Sequence, residues 1–373
     1  MISKFTVSNF KSFNKEFCFD LENTNGYNFN KESIQNGVVN NALIYGHNGV
    51  GKSNLGFAIF DIIGHLLDDE SVNKSQYSIY TNALNNSNLA SFKYEFVFDS
   101  SVVIYEYQKE DYKTIIMERF TVDGKELASI DKSISDEAFI NIKGAESLKK
   151  NIANKNLSLL KYIRNNSVLE SNTDTLSFNK FFNFIEGMLF FRTLQANTYF
   201  GLENVSGKDI MEDIIDRGNV SDLELFLNNA GVKCKLAVVK ESDKNVLAFD
   251  FNGNTISFFD ISSTGSNALI LFYFWLQRLR NKSKVSFLFI DEFDAFYHHE
   301  LSALIVKELK KTGVQFVLTT HNTSIITNDL LRPDCYFLMN KQSINSLAKC
   351  TSKDLREAHN IEKMYKAGSF NVK

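Results

Sequence analysis

Apolar and polar positions alternate through much of the first third of the chain. Phe5-Thr6-Val7 and Phe17-Cys18-Phe19-Asp20-Leu21 repeat with period two around Asn9-Phe10-Lys11-Ser12-Phe13, and Asn41-Ala42-Leu43-Ile44-Tyr45 is a short apolar run. Period two marks half-buried strands, and a bounded apolar run marks a more deeply buried one. Residues 54–60 change to helical spacing. Residues 92–127 alternate again in three runs, 92–98, 102–107 and 114–120, with Asp123-Gly124 as a further turn, which predicts an antiparallel meander. From Ser135 to about Ala230 the pattern is helical, with Leu148, Ile152 and residues 157–160 at helix-like intervals. Strands return at 235–239 and 246–251, which precede the turn residues Asn252-Gly253-Asn254. Strands and helices then alternate over 286–290, 299–311, 315–319, 323–331 and 335–339. Such alternation predicts an α/β fold, a parallel sheet with helices on its faces. The expected organisation is an amino-terminal half over residues 1–130, a helical insertion over 131–230 and a carboxyl-terminal half over 231–373.

Between the apolar run at 41–45 and the helical stretch lies Gly46-His47-Asn48-Gly49-Val50-Gly51-Lys52-Ser53, which fits G-x-x-x-x-G-K-[ST] at every fixed position. Strand, glycine loop and helix is the context the motif needs; a chance glycine-rich turn would not require it. Glycines let successive backbone N–H groups point inward as an anion nest, and the helix N-terminus adds partial positive charge. Gly46, Asn48, Gly49, Gly51, Lys52 and Ser53 are therefore candidate contacts for ATP. Lys52 is placed to reach the β- and γ-phosphates, and Ser53 to hold Mg²⁺.

A second set of candidates lies far downstream. Val285-Ser286-Phe287-Leu288-Phe289-Ile290-Asp291-Glu292 is an apolar strand ending in two acids. In phosphate-loop ATPases such a strand lies beside the phosphate loop, with its Asp on Mg²⁺. Asp291 is the candidate metal residue, and Glu292 the residue that orients or deprotonates the attacking water. Two acids can also mark a strand entering solvent; the upstream phosphate loop favours the catalytic reading. Residues 314–319 form another buried run followed by Thr320-His321-Asn322. A histidine at the carboxyl end of a parallel strand sits where open α/β sheets bind ligand, so His321 is a candidate γ-phosphate contact; the plainer alternative is a hydrogen-bonded loop histidine. Ile261-Ser262-Ser263-Thr264-Gly265-Ser266 precedes a helix that begins near Asn267. Ser263, Gly265 and Ser266 offer hydroxyl and N–H groups to an anion, although an ordinary N-cap reads the same way.

Composition narrows the classes. Of 373 residues, 44% are hydrophobic and 23% charged, as in an ordinary globular protein. The net charge of −3 gives no global basic footprint for nucleic acid. Lys149, Lys150, Lys155, Lys161 and Arg164 form a basic stretch, read more simply as the solvated face of an amphipathic helix. Cys18, Cys234, Cys335 and Cys350 are scattered without a C-x-x-C pair, which suggests reduced thiols in a cytoplasmic protein and no zinc site. The amino terminus alternates like a strand and lacks the pattern of a signal peptide. The most apolar window, 268–276, is too short to span a bilayer.

The order of phosphate loop, insert, Ser-rich helix start, Asp-Glu strand and Thr-His resembles the heads of ABC-type ATPases, a group that includes SMC-like, RecF-like and OLD-like proteins. Asn9-Phe10-Lys11-Ser12-Phe13 is similar to their amino-terminal Asn-Phe-[Arg/Lys]-Ser-Phe segment. Asp291-Glu292-Phe293-Asp294-Ala295-Phe296-Tyr297-His298 resembles the Asp-Glu-x-[Asp/Glu]-x-x-Leu-His segment of OLD-like, defence-associated AAA ATPases, and residues 360–370 resemble that group's end. The resemblance implies a phosphate-loop ABC-ATPase head with a mixed or parallel sheet, an antiparallel β-subdomain and a helical insertion. It also implies slow ATP hydrolysis in a homodimer or higher oligomer, in which residues 263–266 of one subunit close on the γ-phosphate held by the other. The chain departs from the group in reading Ser-Ser-Thr-Gly-Ser where Leu-Ser-Gly-Gly-Gln is usual. It also carries His299 where a proline is usual, and no nuclease-type acid cluster follows His321. The leading expectation is an ATPase that senses or gates a separate nuclease or toxin effector in antiviral defence. A RecF- or SMC-like DNA repair ATPase and a transporter subunit are the alternatives.

Overall fold

The computed structural model describes residues 1–67, 78–192, 199–201, 210–241, 244–280, 285–295 and 299–371. β1 (Ile2–Ser8) and β2 (Phe17–Asp20) pair antiparallel around a tight turn. Asn9 and Lys11 adopt left-handed φ values of 51° and 46° there, and Phe10 and Phe13 exchange backbone hydrogen bonds of 3.0 and 2.8 Å. Both rings are buried, so the segment anchors itself in the core while presenting Lys11 and Ser12 outward. A short ladder, β3 (Ile34–Gln35) with β4 (Val38–Val39), leads into β5 (Asn41–Tyr45), and α1 (Lys52–Leu66) follows the glycine loop.

The meander consists of β6 (Ala90–Phe98), β7 (Ser101–Lys109), β8 (Ile115–Val122), β9 (Lys125–Asp131) and the short β10 (Phe139–Ile140). With β1 and β2 it makes one antiparallel sheet in the order β10-β9-β8-β7-β6-β1-β2. Its turns explain the sequence punctuation. Asp123 and Gly124 both take positive φ, 48° and 79°, as a two-residue turn whose twist matches its strands demands. One face is aromatic and buried, with Phe92, Tyr94, Phe96, Tyr105, Tyr107 and Phe120 inward. The other face carries a cross-strand series of charges, Lys4, Glu95, Lys93, Glu106, Arg119 and Glu126, paired at 3.3–3.9 Å. Such solvated pairs add little stability each, and they keep this face in water.

The aromatic face is covered by α1 and by α2 (Leu159–Asn166) and α3 (Thr173–Glu186). Phe181 of α3 packs edge-on against Phe96, Tyr105 and Phe120. The chain continues through β11 (Met188–Arg192), β12 (Tyr199–Gly201), α4 (Ile210–Asp216) and α5 (Val220–Asn229). The antiparallel strands β13 (Leu236–Glu241), β14 (Lys244–Phe251) and β15 (Asn254–Ser257) follow, then α6 (Phe258–Ile261) and α7 (Thr264–Arg280). The last stretch is β16 (Phe287–Asp291), α8 (His299–Thr312), β17 (Gln315–Thr320), β18 (Tyr336–Met339), β19 (Ile344–Ser346) and α9 (Ile361–Lys366).

The second large sheet runs β12-β11-β16-β17-β5-β18-β19. β11, β16, β17, β5 and β18 are parallel, and the edge strands β12 and β19 are antiparallel. This is the expected α/β architecture with a mixed sheet. Three local expectations differ. Met188-Leu189-Phe190-Phe191 lies in the stretch read as helical, yet it is a central strand. A four-residue apolar run has no periodicity that separates buried strand from buried helix. Residues 148–157 form turns and extended chain, and the helix begins only at Leu159. Residues 323–331 hold a single 3₁₀ turn, Thr323–Ile325, in place of a helix. Phe296, Tyr297 and His298 lie outside the described residues.

Gly56 fixes how α1 lies on this sheet. A Cβ there would meet Phe190 Cζ at 2.7 Å and Phe289 Cε1 at 2.8 Å. Gly56→Val is expected to lower the unfolding free energy by about 1–3 kcal/mol, the usual cost of overpacking a filled core. Urea unfolding checks this, and a variant as stable as the wild type would mean that α1 does not rest on those rings.

Candidate nucleotide site

The site is built at the carboxyl end of the parallel strands. β5 stops at Tyr45, the loop turns over residues 46–51, and α1 begins at Lys52. Gly49 and Gly51 have φ values of 76° and 107°, conformations that L side chains rarely adopt. Gly51 also lies against Ser12, where a Cβ would fall 2.7 Å from the Ser12 hydroxyl. Asn54 Nδ2 donates to that same hydroxyl at 2.9 Å, so the amino-terminal turn braces the start of α1. Asn48 and Gly49 are exposed in the loop, and Ser53 is half-buried in the first turn of α1.

Lys52 is buried beneath the loop. Its Nζ donates to Gly46 O at 2.8 Å and His47 O at 3.2 Å, and it lies 3.3 and 3.0 Å from Nδ1 and Nε2 of His321. Burial pulls the Lys52 ammonium below its ordinary pKa, against the opposing pull of Asp291, Glu292 and Asp294. A partly desolvated cation at the mouth of a glycine loop suits a phosphate, with which it makes strong charge-assisted hydrogen bonds.

The strand ending in two acids is not the neighbour of β5. β17 lies between β16 and β5, so the acids approach the loop from one strand further away. The consequence is favourable: β17 delivers Thr319, Thr320 and His321 into the gap between Lys52 and the acids. Thr319 Oγ1 donates to Asp291 Oδ1 at 2.8 Å, and the Glu292 N–H donates to Thr319 Oγ1 at 2.7 Å. Glu292 Oε1 lies 3.4 Å from His321 Nε2. Thr320 Oγ1 donates to Asp294 Oδ2 at 2.6 Å, and burial raises the Asp294 carboxyl pKa in spite of that bond.

Lys52, Asp291, Glu292 and His321 thus converge. The Ser-rich helix start does not join them. Ser263 Oγ accepts the Ser266 N–H at 3.1 Å as a cap of α7 and lies 3.1 Å from Ser266 Oγ, while Ser262 Oγ donates to Asn267 Oδ1 at 2.7 Å. Gly265 sits in the first turn of α7. Among the described residues, the hydroxyl hydrogen bonds of these serines run to one another and to Asn267. Ser12, Asp294 and Thr320 enter the sequence reading only as members of the segments 9–13, 291–298 and 320–322, and Thr319 only as the end of a buried run; the fold places Ser12 against Gly51, Thr319 on Asp291 and Thr320 on Asp294.

A cleft of about 320 Å³ adjoins the start of α1, lined by Lys11, Ser12, Asn54, Ile79, Asn82, Ala83 and Leu84. Among the described residues no three His, Cys, Asp or Glu side chains cluster as a metal cage. Mg²⁺ keeps several waters and binds through one or two protein groups plus substrate phosphates. Ser53 and Asp291 are the groups that would hold it. No disulfide joins the four cysteines. Among the described residues no helix is long and apolar enough to cross a membrane.

A phosphate loop after one parallel strand, an acid pair at the end of another and a histidine-bearing strand between them define an ATPase-like phosphate-loop domain on a mixed α/β sheet. The chain belongs to the family described as "AAA domain, putative AbiEii toxin, Type IV TA system", whose profile matches residues 42–327. Among curated proteins there is no match. Solved structures similar to it include an SMC head bound to the C-winged helix domain of ScpA, with 16% identity, 93% of this chain and 98% of that one covered, and a TM-score of 0.46. The SMC head domain from Thermotoga maritima shows 14% identity, 92% and 98% coverage and a TM-score of 0.43. An SMC head with an extended coiled coil, bound to the C-terminal domain of ScpA derived from Pyrococcus furiosus, shows 14% identity, 93% and 97% coverage and a TM-score of 0.45.

Proposed function

We propose that the protein binds ATP with Mg²⁺, hydrolyses it slowly, and uses the cycle as a regulatory subunit for a separate nuclease or toxin effector in antiviral defence. The observation that carries the ATPase reading is the convergence of Lys52, Glu292 and His321 at the mouth of the glycine loop. The loop N–H groups and Lys52 take the β- and γ-phosphates. Ser53 and Asp291 hold Mg²⁺, which draws negative charge from the phosphate oxygens. Glu292 accepts the proton of the attacking water, and His321 steadies the γ-phosphate. The nucleoside extends past Asn54 into the adjoining cleft.

Among the described residues, the hydroxyls of Ser262, Ser263 and Ser266 bond to one another and to Asn267, apart from the convergent groups. This supports a role toward a second copy, with two heads closing over ATP through Ser263, Gly265 and Ser266. The toxin–antitoxin setting is supported by the family description, which reads "AAA domain, putative AbiEii toxin, Type IV TA system"; the separate effector is inferred from the likeness of the Asp291-to-Ala295 segment to defence-associated ATPases. It fits a protein kept in the cytoplasm.

Lys52→Ala is expected to weaken ATP binding about 10- to 100-fold, since hydrogen bonds to charged groups contribute about 1.5–3 kcal/mol. Calorimetric titration measures this, and an unchanged affinity would remove Lys52 from the phosphate site. The effector reading is tested by mass spectrometry of what co-purifies with Glu292→Gln protein from its native host in ATP and Mg²⁺. A nuclease-like or toxin-like protein in stoichiometric amount supports it. DNA together with repair proteins would favour a RecF- or SMC-like repair ATPase, and no partner would favour a self-contained enzyme.

A further inference from the structure

β17 reads Gln-Phe-Val-Leu-Thr-Thr, and every one of its residues is buried. Thr319 is fully inaccessible. Valine has the same branched shape and the same liking for a strand, so sheet packing gives no reason for a hydroxyl at this position. A buried hydroxyl is costly unless it is bonded. Here both of its capacities are used, and both on the acidic turn. Its one proton goes to Asp291 Oδ1 at 2.8 Å, and its oxygen takes the Glu292 N–H at 2.7 Å. The Thr319 carbonyl then accepts the Phe293 N–H at 3.1 Å.

These bonds hold a strained turn. Glu292 has φ 47°, in the left-handed region where a residue with a Cβ is disfavoured. Such a conformation persists only where its surroundings impose it. The parallel register pairs Ile290 with Leu318, which sets Asp291 and Thr319 side by side at the strand ends. One residue therefore fixes the carboxylate that faces the metal and the backbone that aims Glu292 toward His321.

We propose that Thr319 is the positioning residue of the site: its hydroxyl couples the Mg²⁺-binding rotamer of Asp291 to the left-handed turn that presents Glu292. The inference rests on the nucleotide reading above. It says that metal affinity and water activation depend on a side chain that touches neither metal nor nucleotide.

The test compares Thr319→Val, which keeps the shape and drops the hydroxyl, with Thr319→Ser, which keeps the hydroxyl and drops the methyl. The first readout is Mn²⁺ affinity in the presence of ADP, followed by electron paramagnetic resonance, and the second is the Mg²⁺ dependence of ATP hydrolysis. Loss of an outer hydrogen-bond partner typically costs about 10–100-fold in metal affinity or activity. Thr319→Val is expected to fall in that range in both readouts while binding metal-free ATP as the wild type does. Thr319→Ser is expected to stay within about threefold of wild type. A Thr319→Val protein with wild-type Mn²⁺ affinity overturns the proposal. If Thr319→Val does not fold, Thr319→Ser decides alone: retained Mn²⁺ affinity supports the hydroxyl's role, and a tenfold loss assigns the position to packing. A wild-type protein that neither binds Mn²⁺ with ADP nor hydrolyses ATP would instead refute the nucleotide reading itself.

Discussion

Glu292→Gln is expected to bind ATP with near wild-type affinity and to hydrolyse it about 10²- to 10⁴-fold more slowly, the contribution of a positioned general base. The substitution keeps the size of the side chain and its reach toward His321 Nε2, 3.4 Å away. It removes the negative charge and with it the ability to take a proton. The Glu292 N–H bond to Thr319 Oγ1 in the strained turn does not use the carboxylate and is kept in the variant. A slow hydrolytic step should leave ATP in place, so the variant should also accumulate as a closed pair of heads. Single-turnover kinetics and light scattering with ATP and Mg²⁺ follow the two effects separately. Hydrolysis at the wild-type rate would remove Glu292 from its role.

Lys109→Met is expected to cost about 3–5 kcal/mol of folding stability, the usual penalty for breaking a buried ion pair on one side only. Lys109 is completely inaccessible and donates to Asp61 Oδ2 at 2.8 Å, with Tyr112 O at 3.3 Å. Asp61 also accepts the hydroxyls of Tyr107 at 2.9 Å and Tyr80 at 3.0 Å. One turn further along α1, His65 Nε2 pairs with the Tyr105 hydroxyl at 2.8 Å, and Tyr105 donates to Glu118 Oε1 at 2.7 Å. Glu118 in turn accepts the Ser158 hydroxyl and the Leu159 N–H at 2.7 and 2.6 Å, which caps α2. Burial, and then the Lys109 charge, push the His65 pKa well below its ordinary value, so this imidazole stays neutral.

Without Lys109 the Asp61 carboxylate keeps, among the described residues, the hydroxyls of Tyr80 and Tyr107 as hydrogen-bond donors. Urea unfolding measures the loss, and a cost under about 1 kcal/mol would contradict the pairing. In a double-mutant cycle, Asp61→Asn added to Lys109→Met is expected to cost much less than the sum of the two single changes. α1, which begins at Lys52, is thus bonded through Asp61 and His65 to β7, and through Tyr105 and Glu118 to β8 and α2.

How much of this was legible in the chain depended on how local the cause was. The glycine loop, the Asp123-Gly124 turn and the acids at 291–292 are local chemistry, and each stands where the sequence placed it. β11 was not legible, because four consecutive apolar residues carry no period. Its strand state comes from pairing with β16, about a hundred residues onward. The interposition of β17 was equally hidden, since strand order is set by partners distant in sequence. Gln315, for example, hydrogen-bonds to Ile2 across 313 residues. Lys109 and Glu118 read as ordinary polar residues of a meander, and only the fold shows that both point into the core. Thr319 looked like the tail of an apolar strand. Its importance lies in two hydrogen bonds to residues 27 and 28 positions away.

The central claim is that Lys52 and the acid pair make a working Mg²⁺-dependent ATPase. Phosphate release by the purified protein, measured with ATP over a series of protein concentrations, with and without Mg²⁺, and beside Lys52→Ala, tests it most directly. The account predicts release that requires Mg²⁺, rises per molecule with protein concentration as heads pair, and disappears in Lys52→Ala. Release that survives Lys52→Ala, or no Mg²⁺-dependent release at any concentration, would contradict it.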